Sequence, residues 1–214
     1  MLKNIFVCEN KYLLNVFFYA NLEISKDMEE FYMSKKIAVV VGSLRKGSFS
    51  KQIAKNVMKL FPSDYEPEFV EIGNLPLYNE DIDTPENVPA EYTAFRNQIK
   101  EAAGVLFVTP EYNRSIPGGL KNAIDVGSRP YGQSAWDKKP AAVISVSPGA
   151  ISGFGANHAL RQSLVFLNMP TLQQPEAYIG NVTKILDEDG NVAEGTVGFL
   201  QSIVDAYVEL LNRY

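Results

Sequence analysis

One stretch constrains the fold more than any other: Val39-Val40-Val41-Gly42-Ser43-Leu44-Arg45-Lys46-Gly47-Ser48-Phe49-Ser50. It opens as an unbroken β-branched run, the pattern of a strand covered on both faces of a parallel sheet. Gly42 ends the run, and a short loop of hydroxyls and cations follows. Phe49, Ile53, Val57 and Leu60/Phe61 then recur at helical spacing. Strand, polar turn and helix in that order aim free backbone amides and a positive helix end at an anion. Ser43, Ser48 and Ser50 add hydroxyl donors, and Arg45 or Lys46 adds charge. The stretch reads as a phosphate cradle, with a plain turn and helix N-cap as the blander alternative.

The rest of the chain repeats this alternation. Glu66–Ile72 reads as a second strand, followed by a long Pro/Asn/Asp-rich loop from Gly73 to about Pro89. A loop of that length is expected to be functional or mobile. Tyr92, Phe95, Ile99 and Ala102/Ala103 mark a second helix, and Val105–Thr109 a third strand stopped by Pro110. Pro117 is placed to open a helix through Leu120, Ala123 and Ile124, which Gly127 closes. After a polar loop from Ser128 to Lys139 come a fourth strand, Ala141–Val146, and a loop from Ser147 to Gly155. A helix over about Ala156–Asn168, an extended segment around Thr171–Tyr178, a turn at Asp187–Asn191 and a last helix carrying Leu200, Ile203, Val204 and Tyr207 complete the chain.

Strands separated by helices imply βαβ units, and right-handed crossovers give a doubly wound sandwich. The expectation is an α/β flavodoxin-like three-layer sandwich with a five-stranded parallel sheet in the order 2-1-3-4-5. Ligands in such sheets sit beyond the carboxyl ends of the strands. In this order strands one, three and four are neighbours, so the three Gly/Pro/Ser-rich loops that follow them converge on one place.

With 214 residues, the chain has enough material for one filled α/β domain. A formal net charge of −5 argues against a nucleic-acid partner or an anionic membrane surface. Cys8 and His158 are single residues of their types, so a cysteine cluster is excluded and a zinc site disfavoured. Apolar runs fall short of the roughly 20 residues of a membrane-spanning helix.

Residues 1–33 read as an N-terminal extension to a domain at 34–214. Leu13 to Leu22 is moderately apolar, but Asn15 and Asn21 interrupt it and no small-residue cleavage pattern follows. Met33-Ser34-Lys35-Lys36 looks like a natural beginning. The expectation is that translation starts at Met33, with residues 1–32 an upstream artefact or a poorly ordered extension, and that the protein is cytoplasmic.

Three segments together resemble the NAD(P)H-dependent FMN reductases, including chromate, quinone and azo-dye reductases. They are Gly42-Ser43-Leu44-Arg45-Lys46-Gly47-Ser48-Phe49, then Pro110-Glu111-Tyr112-Asn113 with Ser115-Ile116-Pro117-Gly118-Gly119-Leu120-Lys121-Asn122-Ala123-Ile124-Asp125, and the Ser147-Pro148-Gly149 loop. The likeness covers about Lys35 to the C-terminus. It implies that Ser43, Arg45, Ser48 and Ser50, with Phe49 in the same loop, hold the FMN phosphate. Asn is the more frequent residue at the position of Ser50. Pro110, Glu111, Tyr112 and Asn113 would lie along the isoalloxazine and ribityl groups, mostly through backbone groups. Ser147 and Gly149 would approach the other ring edge. Ser152 departs from the glycine run usual in that loop.

By the same resemblance, NADPH or NADH gives hydride to flavin N5, and the reduced flavin passes electrons to a quinone, an azo compound, chromate or a similar small acceptor. The flavin carries the chemistry, so no side chain is assigned as general acid or base and no metal is implied. A homodimer or homotetramer is implied, packed near the fourth helix. His158 then reads as a surface or interface group and Glu176 and Tyr178 as subunit contacts; Tyr131 and Trp136, in the loop before the fourth strand, read as loop anchors, with exposed aromatics covering the site as the alternative. Glu111 has a plainer reading as a helix cap or ion-pair partner.

The competing function is a flavodoxin-type electron carrier with a protein partner in place of a nicotinamide; Arg45 and Lys46 in the first loop favour the reductase. A phosphoryl-transfer enzyme lacks its Gly-Lys-Ser/Thr ending here. A non-catalytic scaffold leaves the three converging loops without a purpose.

Overall fold

Residues 34–214 are those the computed structural model describes, so the expectations for residues 1–33, Met33 among them, lie outside the described residues. Five parallel strands, β1 (Lys35–Val41), β2 (Tyr65–Val70), β3 (Gly104–Pro110), β4 (Ala141–Val146) and β5 (Ala177–Ile179), form a sheet in the order β2-β1-β3-β4-β5. This is the expected order. Five helices connect them: α1 (Phe49–Met58), α2 (Ala90–Glu101), α3 (Gly118–Gly127), α4 (Phe154–Phe166) and α5 (Glu194–Leu211). Short 3₁₀ turns occupy Glu80–Ile82 and Val182–Lys184.

The alternation of side chains along each strand splits the core in two. Ile37, Val39, Leu106, Val108, Ile144 and Val146 face α1 and α5, meeting Ile53, Val57, Leu200, Val204 and Tyr207. Ala38, Val40, Val105, Phe107 and Val143 face α2, α3 and α4, meeting Phe95, Ile99, Leu120, Ile124, Leu160 and Leu164. Both faces of β1, β3 and β4 are covered, which explains why their sequences lack polar alternation. Lys35–Tyr214 folds as one unit.

Several expectations needed adjustment. The second strand begins at Tyr65 and ends at Val70, because Glu71 turns its carboxylate back onto the Ile72 and Gly73 amides. Pro110 closes β3 from within, paired opposite Val146. Helix α4 begins at Phe154 and ends at Phe166, two residues earlier at each end than expected. The extended segment expected at Thr171–Tyr178 is two pieces: Thr171 makes an isolated bridge to Ala141, and β5 resumes only at Ala177. Pro175 in the gap has no amide to donate to the sheet.

The long loop from Gly73 to Pro89 is fastened. Asn122 of α3 accepts the Tyr78 amide at 2.7 Å and donates to the Leu75 and Pro76 carbonyls. The Tyr92 hydroxyl donates to the Pro76 and Leu77 carbonyls. These bonds set the segment as a wall beside α3.

Candidate active site

The register brings the three loops side by side. Val41 pairs with Val108, and Pro110 with Val146, so the carboxyl ends of β1, β3 and β4 form one continuous edge. The Gly42 amide donates to the Val108 carbonyl at 2.9 Å, extending the sheet by one residue before the first loop leaves it. A Cβ at Gly42 would stand 2.7 Å from Thr109 Oγ1 and 3.1 Å from Leu120. Only glycine lets the first loop pass this close to β3.

The first loop ends on α1. Ser48 is its N-cap, with the side-chain oxygen accepting the Lys51 amide at 3.1 Å. The first-turn amides ahead of Lys51 have no intrahelical acceptor and point out of the helix start. Ser48 and Ser50 are both 2% exposed, so two hydroxyls are buried at the positive end of α1. No carboxylate lies in the first turn to neutralise it. Arg45 is turned back on its own loop: Nη2 donates to the Gly47 carbonyl at 2.5 Å, and the guanidinium stands 5.3 Å from the Phe49 ring centroid. It shapes the loop as well as charging it. Ser43 lies between these groups and the strand end, and Lys46 is exposed.

In the second loop, Tyr112 and Ser115 exchange both backbone hydrogen bonds, at 2.9 and 3.0 Å. Asn113 and Arg114 between them both take positive φ, 51° and 66°. That is a type I′ turn, which asparagine tolerates and arginine enters at a cost. The turn projects Tyr112 and Asn113 outward, both exposed. Glu111 takes its plainer reading. Its Oε2 accepts the Ala156 amide at 3.1 Å and its Oε1 accepts from Arg114 at 3.0 Å, so the carboxylate caps α4.

The third loop is bonded to itself and to the segment after β5. The Gly149 amide donates to Ser147 Oγ at 3.1 Å, and the Ser147 carbonyl accepts the Val182 amide. Ser152 adopts φ 62° and donates its hydroxyl to the Ala150 carbonyl. Its departure from glycine is therefore accommodated. Beneath the loop, Ser145 donates to the Ser152 carbonyl, Asn157 bonds Ser145, and Arg161 bonds Asn157 and the Leu172 carbonyl.

Residues outside the predicted site join these loops to their surroundings. Leu44 lies over Gly73 and Gly119, linking the first loop to the wall and to α3. Arg114 and Gly155 link the second loop to α4. Leu44 and Gly155 had no signal in the sequence, since each meets a partner far along the chain. Trp136 is fully buried and donates Nε1–H to the Ile124 carbonyl, an anchor as expected. Tyr131 is 90% exposed, which corrects the anchor reading in favour of the exposed alternative. His158 is a surface group, with Nε2 3.0 Å from the Tyr178 hydroxyl and Phe154 packed on its ring. Burial, helped by a hydrogen bond to Glu176, raises the Tyr178 hydroxyl above its ordinary pKa.

This arrangement fits a flavin mononucleotide. The start of α1, with two buried hydroxyls and no acid, suits a phosphate. The exposed backbone of the second and third loops suits a flat polar ring. Among the described residues there is no cluster of three metal-ligating side chains, and no helix is long and apolar enough to cross a membrane.

Comparison with known proteins agrees. The sequence pattern of the NADPH-dependent FMN reductases matches residues 35–184. A quinone reductase of Pseudomonas putida is 59% identical over 179 residues, covering 83% of this chain and 96% of its own length. A 2-hydroxy-1,4-benzoquinone reductase of Burkholderia is 49% identical over 176 residues, covering 82% and 95%. Among solved structures, the flavoenzyme NAD(P)H:acceptor oxidoreductase FerB of Paracoccus denitrificans superposes with a TM-score of 0.78 at 42% identity, covering 84% of this chain and 98% of FerB. The chain belongs to the NADPH-dependent FMN reductase family.

Proposed function

We propose that this protein takes hydride from NAD(P)H onto bound FMN and delivers the electrons to quinones and related small acceptors, azo compounds and chromate among them. The observation that carries the reading is the convergence of three loops at adjacent strand ends, one of them ending on an uncompensated helix N-terminus. Ser43, Ser48, Ser50 and the first amides of α1 hold the phosphate, with Arg45 and Phe49 keeping the loop in shape. Pro110, Glu111, Tyr112 and Asn113 line the ring and ribityl chain through their backbone, and Ser147 and Gly149 close the far edge. FMN, when bound, supplies the two-electron chemistry. The protein's share would be to orient it and present backbone amides to the ring.

An absorbance spectrum recorded anaerobically before and after NADPH tests this. A flavin spectrum that bleaches, and returns on adding a quinone, is expected. A flavin that stays oxidised means an electron carrier, and a colourless protein that takes up no FMN overturns the reading.

The working form is proposed to be a homo-oligomer, with a second copy seated on α4. Val165 and Phe166 are 73% and 87% exposed there, beside an open groove of about 1210 Å³ that Tyr131 also lines. Such apolar exposure on one helix face suits a self-complementary contact. The cytoplasm is the proposed compartment, since NAD(P)H is found there; cell fractionation tests it.

A further inference from the structure

Helix α4 has no cap of its own. Its N-cap is Gly153 at φ 74°, which offers no side chain, and no acidic residue occupies its first turn. A helix start in this condition presents orphan amides and about half a positive charge to whatever faces it. What faces it is Glu111, 45 residues earlier and on another loop. The carboxylate is largely buried, at 13% side-chain exposure, with one oxygen on the Ala156 amide and the other on Arg114. Gly155 makes the approach possible. A Cβ there would stand 2.9 Å from both Glu111 Oε2 and the Arg114 carbonyl oxygen.

We propose that Glu111 is a positioning residue: its carboxylate, set on the N-terminus of α4, locks the second and third loops against each other and neutralises that helix end, without itself touching FMN. The inference rests on the flavin reading above. It assigns the two exposed helix starts of the site opposite tasks. The start of α1 is left positive for the phosphate, whereas the start of α4 is satisfied from within the protein. The ring end of the site is thereby kept from gaining positive potential, which would favour the electron-rich reduced flavin.

Three variants of the full chain test it, each read by amide hydrogen exchange, by FMN affinity and by flavin reduction potential. Glu111→Ala is expected to lose protection of the Ala156 amide in the FMN-free protein and to bind FMN about tenfold more weakly, the scale of a lost cap. Glu111→Gln keeps an acceptor for Ala156 and is expected to restore protection and most of the affinity, while the potential moves positive. Arg114→Asn, which suits the positive φ, is expected to change affinity by no more than about twofold. Should Glu111→Ala leave Ala156 protected while affinity falls, the carboxylate touches the cofactor directly and the proposal fails. Unchanged affinity in Glu111→Ala also defeats it. A wild-type protein that takes up no FMN defeats the functional reading itself.

Discussion

Asp83 and Arg96 form a two-pronged ion pair, at 2.8 and 2.6 Å, with both side chains under 10% exposed. Arg96 also donates Nε–H to the Val126 carbonyl and lies over the Tyr92 ring. One guanidinium thus ties the wall to α2 and to the end of α3. Removing one partner of such a pair strands a buried charge. Asp83→Ala is expected to lower the unfolding free energy by about 3–5 kcal/mol in urea titration. Replacing both residues with apolar ones of similar volume recovers most of that loss.

Ser48 does two jobs that one substitution separates. Ser48→Asp keeps a side-chain oxygen for the Lys51 amide and adds a favourable charge at a helix start. The melting temperature of the FMN-free protein is therefore expected to stay the same or rise. FMN binding, followed by fluorescence quenching, is expected to weaken by more than about tenfold, because a carboxylate now occupies the phosphate position.

Gly42→Ala forces a methyl group to within 2.7 Å of Thr109 Oγ1, whose own hydroxyl is bonded to the Pro110 carbonyl. The first loop must shift away from β3. A stability loss of about 1–3 kcal/mol is expected from overpacking, together with weaker FMN binding, checked by denaturation and by cofactor titration.

Tyr207 is fully buried and donates its hydroxyl to the Pro140 carbonyl at 3.1 Å. Burial holds its pKa well above the ordinary tyrosine value of 10.0. A raised folded-state value means the contribution to stability is complete below pH 10 and is lost as pH rises from there towards the folded value. Tyr207→Phe is expected to cost about 1 kcal/mol at neutral pH and to flatten the alkaline limb of the stability curve. Tyr65, Tyr92 and Tyr178, all shifted upward by burial, keep part of that limb.

Phe166→Glu places a charge on the exposed end of α4 and tests the proposed homo-oligomer. Sedimentation velocity is expected to show an oligomer for the unchanged protein and monomers for the variant, with circular dichroism unchanged.

The sequence made the central strands plain because β1, β3 and β4 are buried on both faces, and only unbroken apolar runs satisfy that. It served less well at the sheet edge. β5 is three residues long, and the Thr171–Leu172 pairing next to it mimics its continuation. The three loops were legible as a group, since strand order alone makes them neighbours. The task of the Glu111 carboxylate was not, because its two candidate partners, a ligand and a helix start, differ only in space. Tyr131 stayed ambiguous, with the anchor reading preferred, for a similar reason: an aromatic in a loop looks the same whether it faces the core or solvent. The fastening of the long loop was hidden too, because it depends on Asn122, a helix residue whose sequence position gives no hint of what its amide holds.

That loop has its polarity reversed relative to most surface segments. The carbonyls of Leu75, Pro76 and Leu77 turn inward to Asn122 and Tyr92, while the Leu77 side chain is left 82% exposed. At Leu77 itself, the part that helps keep the loop in place is a main-chain oxygen, common to every amino acid, and the part shown to the outside is a free choice of side chain. Such a segment can change its outward chemistry by a single codon with no refit of the scaffold behind it.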